Sequence, residues 1–292
     1  MFVAGPDELR DVLDPLVRDS AGHGRVVVAA TPRVTEVARS CRTGQVTVAD
    51  RSDVYDAPGR ALATLRRTAQ AEPGVRTTFV GEPPLPTHDP VELHEWHRWE
   101  SVLADALSGT GMRVVCVHDT AALPASAHRP AQRTHPALLT RHGPRPNPDY
   151  EGPVTTNAAD VPGTGPHQQP VRALDIRSDL ATIRAGAGEA AAELGLPAGR
   201  VEDLTVAVNE LTANVLEHGA GKGTVSLYRA GPRLVCDVFD ESGGLTDPLA
   251  GYRATEAGST SGYGLWIARQ VCDFLEVSGG THGSRVRAHF RL

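Results

Sequence analysis

Asn209-Glu210-Leu211-Thr212-Ala213-Asn214, followed by Glu217-His218-Gly219, is the stretch on which the reading of this chain turns. Leu204, Val208, Leu211 and Val215 recur at helical spacing, which predicts an amphipathic helix from Ala198 to Glu217. On that helix Glu210 and Asn214 stand one turn apart on a shared face beside the apolar stripe. Downstream, Asp240-Glu241-Ser242-Gly243-Gly244 closes an apolar strand, and Gly262-Tyr263-Gly264-Leu265 opens a helix. Taken singly, the pieces are weak. Glu and Asn are routine on a solvated helix face, an Asp before Ser-Gly-Gly starts an Asx turn, and Gly-x-Gly is an ordinary turn. The order and the gaps carry the information.

Working outward, Val171 to Ile176 reads as an edge strand, followed by helices from about Asp179 to Leu194 and Ala198 to Glu217. Gly223 to Arg229 and Arg233 to Asp240 are adjacent strands joined by a tight Ala230-Gly231-Pro232 turn. A helix from Gly264 to Asp273 and two last strands, Phe274 to Ser278 and Arg285 to Arg291, complete the pattern. It predicts a mixed sheet with helices on one face, an α+β sandwich.

Before this lies a break. From Arg141 to Pro170 the chain carries Pro144, Pro146, Pro148, Pro153, Pro162, Pro166 and Pro170 among glycines, with almost nothing apolar to bury. Such a stretch cannot offset its own ordering entropy and reads as an extended linker. The expected organisation is a first domain over 1–150, a linker over 151–170 and a second domain over 171–292. In the first domain, β-branched runs at Arg25 to Ala30, Gln45 to Ala49, Val75 to Val80 and Arg113 to Val117 alternate with helical stretches at Pro6 to Arg18, Arg33 to Arg39, Pro58 to Ala71 and Pro90 to Leu107. That alternation predicts an α/β domain with a mostly parallel sheet covered on both faces.

The bulk numbers narrow the function classes. The chain has 292 residues, 40% hydrophobic and 22% charged, with a net charge of −6. That balance suits a soluble globular protein and opposes a nucleic-acid grip by bulk charge. No apolar run approaches a membrane span, and no export signal is legible, so a cytoplasmic location is expected. Cys41, Cys116, Cys236 and Cys272 form no Cys-x-x-Cys pair; Cys116 and Cys236 fall in apolar strands and read as reduced core residues.

The three pieces of the second domain hold the parts of a nucleotide site. Asn214 offers one neutral oxygen to magnesium, an ion that keeps several waters and bridges phosphates. Glu210 can take a proton from an incoming hydroxyl. The carboxylate of Asp240, ending an apolar strand, needs a donor such as the adenine amino group. Gly262 and Gly264 at a helix start offer backbone N–H groups to phosphate.

Together these motifs resemble the GHKL superfamily, the nucleotide-binding fold of histidine kinases, gyrase, Hsp90 and mismatch-repair ATPases. Within it they are most similar to anti-sigma-factor serine kinases of the RsbW type: the Asn209–Gly219 motif, a short lid between Gly244 and Gly262, and the box Gly262-Tyr263-Gly264-Leu265-Trp266-Ile267-Ala268-Arg269-Gln270 carry the likeness. The resemblance implies ATP and Mg2+ as cofactors, Glu210 as catalytic base, and Asn214 as the magnesium residue. It also implies an ATP site of Asn214, His218, Asp240, Gly244, Gly262, Gly264 and Leu265. It implies transcription regulation in a stress response, with an anti-anti-sigma (STAS-type) antagonist as phosphoacceptor, a sigma factor as second partner, and a homodimer. Neither direct nucleic-acid binding nor membrane contact is expected. The family's middle box is Asp-x-Gly-x-Gly, and here Ser242 stands at the first glycine. A position needing positive φ would be strained by Ser242, which leaves open a binding module in which ATP, if bound, is only structural. Arg253 is the only strong cation of the lid and a candidate γ-phosphate contact, though an ordinary exposed loop arginine is its plainer reading. A two-component histidine kinase is rejected, because a proline-rich segment around His167 stands where the dimerising hairpin would be.

The first domain resembles the MEDS sensory domain, a RecA-like module. The likeness rests on Gly81-Glu82-Pro83, on Leu93-His94-Glu95-Trp96-His97-Arg98-Trp99-Glu100, on Cys116-Val117-His118-Asp119-Thr120-Ala121-Ala122-Leu123, on Thr134-His135-Pro136 and on Pro148-Asp149-Tyr150. No Gly-x-x-x-x-Gly-Lys-Ser/Thr is present, so no P-loop is written here. Glu100, His118 and Asp119, near the long helix or at strand ends, are candidates to line a cavity for a small sensed ligand. Strand-end capping is the plainer reading of His118 and Asp119. His94 and His97 lack a third ligand in sequence and read as a polar helix face, so no metal is expected. Trp96 and Trp99 read as packing residues.

Overall fold

The computed structural model describes residues 1–41, 46–153, 170–177, 179–242, 245–253, 262–280 and 283–292. By its own contacts the chain divides into two units, Met1–Asp56 with Arg60–Asp160, and Ala57–Gly59 with Val161–Leu292.

The first unit starts with β1 (Phe2–Val3) and α1 (Pro6–His23), then β2 (Gly24–Ala29), α2 (Pro32–Ser40), β3 (Val46–Val48), α3 (Arg51–Val54) and α4 (Pro58–Gln70). It continues with β4 (Arg76–Gly81), α5 (Pro90–Ala106), β5 (Met112–Cys116), β6 (His118–Asp119), α6 (Ala125–Arg133) and the hairpin β7 (Ala137–Thr140) and β8 (Gly143–Pro146). Prolines stand in the first turns of α1, α2 and α5, where the missing N–H costs nothing. The main sheet has the order β3-β2-β4-β5, and each of its three pairings is parallel. Val26, Val27, Val28 and Ala29 are buried in succession, so β2 is covered on both faces, as a parallel strand requires. Leu9, Val12, Leu13, Leu16 and Val17 of α1 pack with Val34, Val37 and Ala38 of α2 against Val26 and Val28.

Local reading misses two features of this unit. β1 and β6 form a separate parallel pair that sets Phe2 beside His118; both strands are two residues long. The helix α5 is buried at every position from Glu95 to Leu103, charged residues included. Expected as a polar face, His97 lies inside. Asp89 caps the helix, accepting from the N–H groups of Val91 and Glu92 at 3.2 and 3.1 Å. Trp96 and Trp99 are core residues, packed edge to face with each other and with Tyr55.

The second unit holds β9 (Arg172–Ile176), α7 (Leu180–Glu193), α8 (Ala198–His218), β10 (Gly223–Ala230), β11 (Arg233–Asp240), α9 (Gly264–Val271), β12 (Phe274–Gly280) and β13 (Gly283–Arg291). Its sheet has the order β12-β13-β11-β10-β9, with β9 at one edge as expected. Every pairing is antiparallel. The expected mixed sheet is therefore corrected. After the α9 crossover, β12 pairs with β13 alone, and β13 runs antiparallel to both its neighbours, so no parallel pair forms. One face is apolar: Val225 and Leu227, then Leu234, Cys236 and Val238, then Val286, Ala288 and Phe290 alternate inward. Ile183, Ala187, Ala190 and Ala191 of α7, Leu204, Ala207, Val208, Leu211 and Val215 of α8, and Ala268 of α9 pack on that face. No helix among the described residues is long and apolar enough to cross a membrane.

Candidate nucleotide site and the families matched

Burial of Leu204, Val208, Leu211 and Val215 fixes the rotation of α8. It leaves Glu210 and Asn214 half-buried on the flank of the core. Asn209 hydrogen-bonds the Glu210 Oε1 through its Nδ2 at 3.2 Å, while its own Oδ1 accepts from Arg184 of α7 at 2.7 Å. The pair holds the carboxylate from the side. Arg184 lies far away in sequence, and no local signal links it to this site.

The amide of Asn214 lies against the first residue of α9. A Cβ built on Gly264 would stand 2.8 Å from Asn214 Nδ2 and 2.9 Å from Oδ1. The helix-face motif and the last glycine box thus meet in space. Gly262 has φ +94°, a left-handed conformation that favours glycine. The residue at the N-cap of α9, Tyr263, makes no side-chain capping hydrogen bond among the described residues. Leu265 is half-buried and packs on the core.

Asp240 joins the middle motif to the first. Its Oδ1 accepts from the N–H of Ala220 at 3.0 Å and of Ser242 at 2.9 Å, and its Oδ2 accepts from the Ser242 hydroxyl at 2.7 Å. The Asx turn is realised, and it draws the carboxylate to the end of α8: a Cβ on Gly219 would fall 2.1 Å from Asp240 Oδ2. Ser242 carries no backbone strain, since no non-glycine residue among those described has positive φ. His218 is exposed, and its Nε2 lies 3.9 Å from a carboxylate oxygen of Glu217. Gly243, Gly244 and lid residues 254–261 lie outside the described residues. Arg253, the last lid residue described before that stretch, is exposed. Its neighbour Tyr252 is buried under the Arg269 guanidinium, 3.8 Å from the ring centroid, and Arg269 also donates to the Leu275 carbonyl at 3.0 Å. This arginine of α9 anchors the lid near its middle.

The donor set fits a magnesium nucleotide. One neutral amide oxygen, a neighbouring carboxylate, the backbone N–H groups that open α9 and a strand-end carboxylate converge around the last turns of α8.

Comparison with known proteins agrees. Residues 174–290 match the family described as the histidine kinase-like ATPase domain. Residues 1–136 match MEDS, the MEthanogen/methylotroph, DcmR Sensory domain. Residues 1–136 are thus a MEDS domain and residues 174–290 a histidine kinase-like ATPase domain. Among solved structures, the RsbU and RsbW domains of Rv1364c from Mycobacterium tuberculosis align at 22% identity over 43% of this chain, with a TM-score of 0.31. The aligned part spans 34% of that chain. No curated protein matches this one.

Within the MEDS domain the three ligand candidates separate. Glu100 and His118 come together in the interior, with His118 Nε2 3.1 Å from Glu100 Oε1. Asp119 turns elsewhere: its Oδ2 pairs with Arg33 at 2.6 Å and its Oδ1 accepts from the Ala121 N–H. Its place is taken by His135, absent from the expected set, whose Nε2 lies 3.9 Å from Glu100 Oε1. Burial pushes the His118 imidazole down to about 3 and that of His135 to about 4, and it raises the Glu100 carboxyl. Both rings are therefore neutral at neutral pH.

Proposed function

We propose that the second domain binds Mg-ATP and phosphorylates a serine or threonine of an anti-anti-sigma (STAS-type) antagonist, and that the same domain captures a sigma factor. The first domain, a RecA-like sensor in this reading, biases that activity by taking up a small ligand. The protein acts in the cytoplasm as a homodimer. The observation that carries the reading is the meeting of Asn214 with Gly264 while Asp240 closes on Gly219 and Ala220. Three motifs dispersed in the chain converge there, and their residue types are those that phosphoryl transfer uses.

Asn214 would hold the magnesium, the N–H groups at Gly262 and Gly264 the phosphates, and Asp240 the adenine amino group through its remaining Oδ2 lone pair. Bound Mg-ATP would supply the transferable phosphoryl group and the counter-charge. Glu210, held by Asn209, takes the proton of the acceptor hydroxyl. His218 and Leu265 border the nucleotide, and Gly244 completes the middle box.

The test begins with a pull-down from the native host, with and without ATP, to identify the antagonist. With γ-labelled ATP, the wild type labels that protein and Glu210→Gln does not. Undiminished labelling by Glu210→Gln removes Glu210 as base. Calorimetry showing no Mg-ATP binding at millimolar concentration removes the catalytic reading and leaves non-catalytic capture of partners.

A further inference from the structure

The interior of the MEDS domain holds a second constellation, independent of the nucleotide site. Glu100 comes from α5, His118 from β6 and His135 from the turn after α6. One ligand atom from each lies within 4.8 Å of the others. Glu100 and His118 are 2% and 1% exposed. Neither oxygen of Glu100, nor the Nε2 of either histidine, has a hydrogen-bond partner. The Cys116 thiol lies against Glu100, but a thiol is a weak donor. Leaving four buried polar atoms unmatched is costly, so the arrangement asks for a further occupant.

The tautomer of His135 says what kind. Its Nδ1 lies 2.7 Å from the Ala131 carbonyl oxygen, which can only accept. Nδ1 therefore carries the proton, and Nε2 presents a bare lone pair toward Glu100. An imidazole lone pair and a carboxylate oxygen facing each other across 3.9 Å need a positive charge between them. The ring is held as a metal-binding histidine usually is, with its second nitrogen donating to a backbone carbonyl. Phe2 stacks on His118 at 4.7 Å and fixes that ring as well.

We propose that Glu100, His118 and His135 bind one divalent transition-metal ion of the imidazole-preferring class, such as zinc or ferrous iron. Two neutral imidazoles and one carboxylate are a recurrent three-ligand set for such ions and leave a further coordination position open. Magnesium and calcium, which prefer oxygen shells, are disfavoured here. A cavity of about 400 Å³, walled by Val12, Leu16 and Leu139, borders the cluster at His135 and Cys116.

The test uses the full chain, stripped with a chelator and dialysed. Calorimetry with zinc should give one ion per chain, and cobalt should develop visible ligand-field bands at the same stoichiometry. Glu100→Gln and His135→Gln, which keep side-chain volume, should each weaken zinc binding by more than about 100-fold, beyond the ~10–100-fold cost of losing an outer-shell partner. His142→Ala, on the exposed hairpin turn, should bind as the wild type does. Circular dichroism checks that the variants are folded. X-ray absorption on the zinc-loaded wild type gives a readout free of any substitution: two imidazoles and a carboxylate are expected. Absence of stoichiometric zinc uptake, equal uptake by folded Glu100→Gln and His135→Gln, or a shell without imidazole overturns the proposal. A proton held between Glu100 and a histidine would then fill the gap.

Discussion

Replacing Gly264 by alanine tests whether the two halves of the nucleotide site work as one. The new methyl would stand 2.8 Å from Asn214 Nδ2, 2.9 Å from Oδ1 and 3.2 Å from Cγ. Ordinary contact begins near 3.4 Å, so the whole amide must retreat by about 0.6 Å. The obstacle is the end of a flexible side chain, and alanine within a helix is favoured over glycine by roughly 0.5–1 kcal/mol. Folding stability should therefore change by less than about 1 kcal/mol. Binding should respond differently. Magnesium demands near-ideal octahedral geometry, and a displacement of about 1 Å in a positioned group can cost about 100-fold. Mg-ATP affinity should fall by about 10- to 100-fold, or about 1.4–2.8 kcal/mol. Titration calorimetry measures the affinity, and a thermal melt without nucleotide measures the fold. Gly199→Ala is the control: near the start of α8 its methyl would meet nothing within 4 Å, so only the melting temperature should rise. A Gly264→Ala protein that binds Mg-ATP as tightly as the wild type, with an unchanged melt, would refute Asn214 as the metal residue.

Two other perturbations probe what holds the structure together. Asp237, on the polar face of β11, accepts from Arg285 at 2.6 Å and from Arg287 at 3.1 Å, and Arg287 is only 8% exposed. Asp237→Ala should destabilise the second domain by about 3 kcal/mol, the lower end of the cost of orphaning a buried charge, because Glu276 still faces Arg287 at 3.7 Å. Urea unfolding followed on that domain checks this; a loss below about 1 kcal/mol would show the ladder to be dispensable. The four thiols are all buried, and burial pushes Cys116 and Cys236 far above the usual thiol range. Iodoacetamide at pH 8 should label none of them in the native protein and all of them in guanidinium, read by intact mass.

What could be read from sequence follows from the range of the forces involved. Strands and helices were legible wherever a period, a cap or a turn is written within a few residues: β11 runs from Arg233 to Asp240 as expected, and α8 begins at Ala198. The sense of strand pairing was not, because where β12 lands depends on β13, which follows it. Ser242 shows the same limit. Its place in a glycine box suggests backbone strain, but strain is a matter of φ, and here the hydroxyl instead closes the Asp240 turn. In the first domain His94 and His97 read as a polar helix face, since no third ligand stands near them in sequence; the structure buries His97. The place of Asp119 at a strand end suggests a cavity lining, yet Arg33 claims its carboxylate. No local signal marks His135 as a ligand, because its significance rests on a tautomer, set by the Ala131 carbonyl one helical turn back, and on a carboxylate from another element. Helical and strand periods are short-range signals and report which face is buried. Chemistry in this chain is made where faces from distant segments are brought together, as Asn214 is to Gly264 and Glu100 is to His118, and only the fold can bring them there.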